Sequence, residues 1–289
     1  RTVDVLVAAR IHAATSTAGA GQRHEETLEL HGPPRRTVRV SAFPLGIGGV
    51  VTVVEDLSER SRLDAVRRDF VANVSHELRT PVGALAVLAE AIADANDPAV
   101  TSRLATRISI EVERASEMIA ELLDLSRLEG DDPQAARRVV LTEVVDAASH
   151  RVAALAEKRG VTLDLSGVED DTTVIGVHDQ LVSALANLMT NAVKYSEPGM
   201  AVVVSALSEE GWVSIDVTDT GTGIPARDLD RIFERFYRVD RARDRRTGGT
   251  GLGLAIVRHV ATNHSGEVLV RSVEGEGSTF TIRIPETAP

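Results

Sequence analysis

Two long helical stripes placed end to end constrain this chain more than any other feature. Leu63, Val66, Phe70, Val74, Leu78, Val82, Leu85, Leu88 and Ile92 recur at steps of three and four, the spacing of one face of an α-helix. At 1.5 Å per residue the roughly 30 residues involved would reach about 45 Å. Asp56 followed by Glu59 has the spacing of a capping box at the start of this helix. Asp97 and Pro98 then read as the N-cap and first position of a second helix. Its stripe is Leu104, Ile108, Val112, Ala115, Ile119, Leu122 and Leu125, and Gly130 is its stop. Two such helices joined by a short turn form an antiparallel hairpin. Its apolar stripe is more than a lone hairpin can bury, so two copies are expected to pair as a four-helix bundle.

The flanking segments read differently. Arg36 to Leu45 and Gly49 to Glu55 look like two short strands around Gly46 and Gly48, while residues 1–30 carry weak patterning and Ala13 to Gly21 reads as loop. After the hairpin, helix-like segments (142–159, 178–195 and 252–264) alternate with strand-like ones (161–166, 201–207, 212–218, 267–273 and 278–284). That alternation predicts a separate α/β domain.

Composition removes several classes of function. The 289 residues include 32 Lys and Arg against 43 Asp and Glu, a net charge of −11, and residues 69–130 are the most acidic stretch, with 5 basic and 11 acidic groups. Nucleic acid is not the expected partner, because phosphate neutralisation needs a basic surface. The absence of cysteine excludes a disulfide scaffold, a thiolate zinc site and a cysteine nucleophile. No window approaches the run of about 18 to 20 apolar residues that spans a bilayer, so this segment is expected to be soluble, cytoplasmic and without direct membrane contact. It opens on Arg1, and a membrane anchor upstream is expected in the full-length protein.

One histidine lies on the wrong side of its helix to be core. Asp69, Asn73, His76, Thr80 and Gly83 form a second stripe, polar or small, rotated away from the apolar one. A solvent-facing imidazole, with its ordinary pKa of about 6.5, is mostly neutral near pH 7 and therefore nucleophilic. Glu77 beside it can accept a hydrogen bond from one ring nitrogen and leave the other to attack. Thr80 places a hydroxyl one turn on. Pro81 removes a helical hydrogen bond at a cost of about 3 kcal/mol and implies a kink. A solitary helical histidine is ordinarily plain surface; the run Ser75-His76-Glu77-Leu78-Arg79-Thr80-Pro81 is what singles this one out.

Four later segments suit a nucleotide. Asn187, Asn191 and Lys194 share one helical face opposite Leu181, Leu185 and Leu188, and Asn is a weak helix former whose presence there points to ligands. The alternating strand Val213, Ile215, Val217 delivers Asp219 into Thr220-Gly221-Thr222-Gly223-Ile224, where a carboxylate can accept a base amino group and glycines allow close approach. Thr247-Gly248-Gly249-Thr250-Gly251-Leu252-Gly253-Leu254 opens into an apolar helix, an anion cradle that matches neither the Walker nor the Rossmann pattern. Ahead of it, Phe233-Glu234-Arg235-Phe236-Tyr237-Arg238 with Arg241, Arg243, Arg245 and Arg246 reads as a lid carrying aromatic anchors and phosphate-seeking cations. Glu274-Gly275-Glu276-Gly277-Ser278-Thr279-Phe280 reads equally well as a simple hairpin turn.

Taken in this order, the segments resemble a bacterial sensor histidine kinase of the two-component type over residues 56–284. Five blocks carry the resemblance: around His76, at 187–195, at 219–223, at 233–237 and at 249–253. It implies an α+β protein, a two-helix hairpin (57–130) dimerising into a four-helix bundle for phosphotransfer, then an α/β sandwich ATP-binding domain (131–289) of the gyrase, Hsp90, histidine kinase and MutL class. Carried over by position, His76 is the phosphoacceptor and Glu77 its general base. Asn191 would hold Mg²⁺, with Asn187 and Lys194 near the phosphates of ATP and Tyr195 by the base. Asp219 would take the adenine amino group, and Gly221 and Gly223 would shape that pocket. Phe233, Tyr237 and Arg238 belong to the lid region, which Gly249, Thr250, Gly251, Leu252 and Gly253 would close. The implied partners are a second copy of the chain and a cognate response regulator, whose aspartate takes the phosphoryl group. Glu77 and Thr80 would also serve the reverse task of dephosphorylating that regulator.

Upstream, the strands running into Val53-Val54-Glu55-Asp56-Leu57-Ser58-Glu59-Arg60 look like the C-terminal part of a PAS sensor domain (1–56). The run Arg68-Asp69-Phe70-Val71-Ala72-Asn73-Val74-Ser75-His76, with two Lys against 30 Arg in the chain, is similar to the actinobacterial phosphate-responsive sensor kinases. Two other functions share parts of the pattern. An ATPase-driven conformational machine of the same nucleotide-binding class would need no His76 block. A non-catalytic dimeric scaffold would not need Asn191 and Asp219.

Overall fold

The computed structural model describes residues 2–19, 22–30, 36–45, 49–130, 136–169, 172–239 and 249–286, without the side chains of 2–7, 19, 62–70, 127, 129 and 130. The chain divides into two compact units, Arg1–His76 and Glu77–Pro289.

In the first unit, helix α1 (Thr2–Gly19) lies on an antiparallel sheet of β1 (His24–Leu30), β2 (Arg36–Leu45) and β3 (Gly49–Asp56), in that order. Ala14 and Ala18 of α1 are buried with Leu28, Leu30, Val38, Val40 and Ala42. The loop expected from Ala13 onward is therefore helix as far as Gly19, and residues 20 and 21 lie outside the described residues. The reason is tertiary: small side chains let the helix approach the sheet closely, and Thr15, Ser16 and Thr17 return their hydroxyls to carbonyls four residues back. β1 is a further correction, since its one buried face rests on only Leu28 and Leu30.

Helix α2 (Ser58–Ala93) starts just beyond β3, and the division between the units falls within it. Asp56 acts at its start, but its carboxylate accepts the Ser58 amide at 2.9 Å, two residues on, rather than forming the expected box with Glu59. The helix begins at Ser58 and its first carbonyl acceptor is that of Leu57, which takes the Ser61 amide at 2.8 Å, so Leu57 rather than Asp56 holds the cap position. Helix α2 continues through Pro81. Asp97 opens α3 (Pro98–Gly130) as expected, its carboxylate accepting the Ala99 amide at 2.8 Å.

The rest of the second unit is a layer of helices on a sheet. Strands β5 (Thr162–Gly167), β7 (Ala201–Glu209), β8 (Trp212–Asp219), β10 (Gly277–Pro285) and β9 (Glu267–Val273) lie in that order, β5 parallel to β7 and the others antiparallel. Every second residue of β8 is buried, as expected for a sheet covered on one face. That face packs under α4 (Leu141–Arg159), α5 (His178–Tyr195) and α6 (Gly253–Asn263). The core joins Leu181, Leu185, Leu188, Met189, Ile256 and Val260 to Val204, Ile215, Val217, Ile282 and Ile284, all at most 1 % exposed. A small antiparallel pair, β4 (Arg137–Val140) with β6 (Thr173–Gly176), and a 3₁₀ turn at Ala226–Asp228 complete it. Strands β4 and β6 were not legible in the sequence, each being four residues long. The start of α5, just beyond β6, is held to the end of α6 by His264, whose Nε2 accepts the Val177 amide at 2.9 Å and whose Nδ1 lies 2.7 Å from the Val260 carbonyl.

Candidate nucleotide site

Helix α5 builds one wall by burying its apolar face and turning its amides outward. With Leu181, Leu185, Leu188 and Met189 in the core, Asn187, Thr190, Asn191, Lys194 and Tyr195 line a cavity of about 470 Å³. Asn187 donates its amide to the Ser183 carbonyl at 2.9 Å, which fixes its oxygen toward the start of α6. A Cβ on Gly253 would lie 2.6 Å from that oxygen, so a larger residue at the start of α6 would have to push the Asn187 amide out of this position.

Asp219 sits at the end of β8, 6 % exposed, and accepts the Gly221 amide at 2.8 Å. Burial pushes its carboxyl up from the usual range, against the downward pull of the Gly221 and Ser278 amides. The loop that follows is squeezed between neighbours. A Cβ on Gly221 would lie 2.3 Å from the Tyr195 carbonyl oxygen, and one on Gly223, at φ 63°, 2.0 Å from that of Val273. The β9–β10 connection is both hairpin turn and part of the site: Gly275 donates to the Thr222 carbonyl at 2.8 Å, and Glu274 and Phe280 line the cavity.

The aromatic segment is stitched to the second glycine loop. Phe236 adopts φ 64°, an uncommon conformation for a bulky residue, and donates its amide to the Gly251 carbonyl at 2.9 Å. The Tyr237 hydroxyl donates to the buried Asp228 carboxylate at 2.6 Å, and the Arg231 guanidinium lies 4.2 Å from the Tyr237 ring centre. The Asp228 bond pushes the Tyr237 phenol up. Phe233 meets Phe280 edge to face at 6.4 Å. Thr250 accepts the Leu252 amide at 3.1 Å and donates its hydroxyl to the Glu121 carboxylate of α3.

The cavity therefore gathers Asn187, Asn191, Lys194, Tyr195, Gly223, Tyr237, Arg238, Gly249, Thr250, Gly251 and Gly253 from the expected set. Asp219, Gly221, Phe233 and Leu252 lie outside its lining. Asp219 and Gly221 act on it through the loop they fix, Phe233 through Phe280, and Leu252 is fully buried at the head of α6. His76, Glu77 and Thr80 lie on α2, His76 and Thr80 exposed and Glu77 half-buried. Arg241, Arg243, Arg245, Arg246, Thr247 and Gly248 lie outside the described residues. Sequence reasoning missed Glu121, Thr190 and Asp228. Thr190 was findable, being on the face of Asn187 and Lys194; Glu121 and Asp228 gave no signal, because tertiary packing alone brings them there.

Comparison with known proteins agrees with this division of labour. Residues 66–131 match the His Kinase A (phospho-acceptor) domain, and residues 176–288 match the histidine kinase-, DNA gyrase B- and HSP90-like ATPase domain. A phospho-acceptor hairpin joined to an ATP-binding domain defines a histidine kinase, and the chain belongs to the sensor histidine kinases. It is 49 % identical over 245 residues to the sensor-like histidine kinase SenX3 of Mycolicibacterium smegmatis, covering 82 % of this chain and 62 % of that protein. Against the sensor histidine kinase WalK of Bacillus subtilis it is 36 % identical over 248 residues, 83 % of this chain and 40 % of the relative. The chain thus spans less than two thirds of the length of these relatives. Among solved structures, full-length ShkA in complex with AMPPNP is 26 % identical with a TM-score of 0.52, over 76 % of this chain and 47 % of that one. Acinetobacter baumannii AdeS shares the fold at 24 % identity and TM-score 0.56, over 73 % and 98 %.

Proposed function

We propose that this chain phosphorylates itself on His76 with ATP and passes the phosphoryl group to an aspartate of a response regulator. The observation that carries this reading is the cavity. One helix face, two glycine loops and an aromatic segment, far apart in sequence, converge on a single space in a chain whose α2 also carries His-Glu-x-x-Thr-Pro.

The space fits a nucleotide on its own terms. Gly221, Gly223 and Gly253 each stand where a Cβ would collide with backbone or with Asn187, which keeps the walls open and fixed. Asp219, its carboxylate held by backbone amides, is assigned the adenine amino group. Tyr195 is placed by the base, and Asn187 and Lys194 by the phosphates, where an ammonium offsets their charge. Phe233, Tyr237 and Arg238 support the lid, and Gly249, Thr250, Gly251, Leu252 and Gly253 close it at the start of α6, where backbone amides face an anion. Asn191 offers a hard oxygen to Mg²⁺. Held there, a magnesium ion would supply charge neutralisation to the triphosphate. Catalysis would then be mainly positioning and electrostatics, with the His76 imidazole attacking the γ-phosphorus in line and Glu77 holding the other ring nitrogen. Glu77 and Thr80 would orient water for the reverse, phosphatase reaction.

A second copy is the proposed partner of the hairpin. Val71, Val82, Val87, Ile110, Val112, Ile119 and Leu123 are between 45 and 65 % exposed in the single chain, more apolar surface than two helices leave uncovered without reason. By the same reading the hairpin spans 57–130 and the ATP-binding domain 131–289, and the first 56 residues are the end of a PAS-like sensor domain. Among the described residues no helix is long and apolar enough to cross a membrane; a cytoplasmic site of action and an anchor upstream are part of the proposal.

The test is incubation with labelled ATP and Mg²⁺ followed by acid and base treatment. A phosphate that is acid-labile and base-stable is expected, and label that persists in His76→Ala would overturn the assignment.

A further inference from the structure

Helix α3 reaches into the nucleotide cavity. Met118, Leu125 and Leu128 are 7, 1 and 6 % exposed, and with Glu121 they follow steps of three and four along one face of α3. The same helix touches α6, where the Leu128 carbonyl lies 3.3 Å from His259 Nε2. Glu121 stands within this face and, among the described residues of α3, is the one that lines the cavity, beside Lys194 and Thr250. Its carboxylate takes the Thr250 hydroxyl, and Thr250 in turn caps the Leu252 amide at the head of α6.

These partners are ones a phosphate would use: a hydroxyl at the start of a helix, with the Lys194 ammonium close enough to act on Glu121. We infer that Glu121 is an internal anion held at the phosphate end of the cavity, so that the docked position of α3 and bound triphosphate exclude one another. The regulation follows directly. While α3 is docked the site disfavours ATP; when ATP enters, its phosphates take over Thr250 and Lys194, and α3 with the ATP-binding domain comes apart. This inference rests on the ATP-site reading above.

The contact is also of a kind that a ligand can displace. Burial pushes the Glu121 carboxyl up, and Glu117 and Asp124 push it further, while only Thr250 and Lys194 pull it down. A carboxylate held against its own desolvation yields to an anion that brings more charge and its own magnesium. Sequence alone could not show this pairing, because Glu121 and Thr250 are 129 positions apart.

The experiment is calorimetric titration of the full chain with ATP and Mg²⁺, and separately with adenosine, for the wild type, Glu121→Gln and Glu121→Ala. Loss of one charged hydrogen bond from the competing group should tighten ATP about tenfold and leave adenosine unchanged, since adenosine carries no phosphate. Spin labels on Arg107→Cys and Arg258→Cys, both exposed and placed in a chain without native cysteine, supply a second readout. ATP should lengthen their separation in the otherwise wild-type chain, and Glu121→Ala should lengthen it without ATP. ATP affinity equal to or weaker than wild type in both variants, or a separation unchanged with ATP bound, overturns the inference while leaving the ATP site standing. Failure of all three proteins to bind ATP overturns the site itself, and this inference with it.

Discussion

Gly223→Ala is the sharpest test of how the adenine side of the cavity is built. Gly223 has φ 63°, and a Cβ there would lie 2.0 Å from the Val273 carbonyl oxygen and 2.9 Å from the Glu274 Cα. Two costs therefore add, about 1–2 kcal/mol for an L-residue in the left-handed region and about 1–3 kcal/mol for forcing volume into a packed contact. The obstacle is backbone on the β9–β10 turn, so it cannot swing aside as a side chain would. Gly199→Ala isolates the first cost, because Gly199 has φ 88° and nothing within 4 Å of its Cβ. The assay is urea unfolding followed by Trp212, the only tryptophan in the chain, which lies on β8 and reports the five-stranded sheet. Gly199→Ala should lose about 1–2 kcal/mol and keep its ATP affinity. Gly223→Ala should lose about 2–5 kcal/mol in all and bind ATP at least about tenfold more weakly, since Gly223 lines the cavity. Equal destabilisation by the two variants would refute the close approach to Val273 as the reason for this glycine.

Three further outcomes follow from the same structure. Tyr237→Phe leaves the Asp228 carboxylate buried without its 2.6 Å donor, which should cost about 1–3 kcal/mol in Trp212-monitored unfolding and weaken ATP in calorimetry. Burial holds the His264 pKa below its ordinary 6.5, so the unfolded chain binds the proton more readily than the folded one. The contribution is complete above pH 6.5 and is lost as pH falls toward the lowered folded value; His264→Gln should flatten the fall in stability between pH 7 and about pH 5 relative to wild type. Leu188→Ala, removing a side chain 1 % exposed beneath the Asn187 and Asn191 face, should cost about 2–5 kcal/mol and lower ATP affinity by loosening α5, visible as a lower urea midpoint.

The fold was legible where one element's own pattern decides its shape. Helices α2 and α3 announce themselves by stripes of three and four, and β8 by an alternation whose inward residues Val213, Ile215 and Val217 are at most 1 % exposed. Helix α1 was not legible, because Ala14 and Ala18 look like loop residues until a sheet is present to receive them. Strands β4 and β6 failed for length: four residues pair only because α4 begins at Leu141 directly after β4, and His264 fastens the Val177 amide directly after β6. The Asp56 cap was misplaced by one residue: the helix starts at Ser58 with Leu57 in the cap position, and the Asp56 carboxylate reaches only the Ser58 amide.

The site divides along the same line, and the division says something about how it works. Asn187, Asn191, Lys194, Asp219 and the glycines were readable because each sits where local geometry demands that residue type: a polar helix face, a strand end, a positive φ or a collision with backbone. Asp228 and Glu121 were unreadable because each acts across the tertiary structure, Asp228 on the Tyr237 hydroxyl and Glu121 on Thr250. The first group makes a cavity that exists whatever the hairpin does, since all of it comes from the helix-and-sheet layer. Among the described residues that line it, Glu121 alone comes from the hairpin. A nucleotide site whose walls are fixed locally, and whose phosphate end is contested by one carboxylate on a separate helix, can have its affinity changed by moving that helix without rebuilding any wall. A lever of this kind leaves no mark in the pattern of either segment, and the pairing of Glu121 with Thr250 becomes visible only once α3 is packed beside α6.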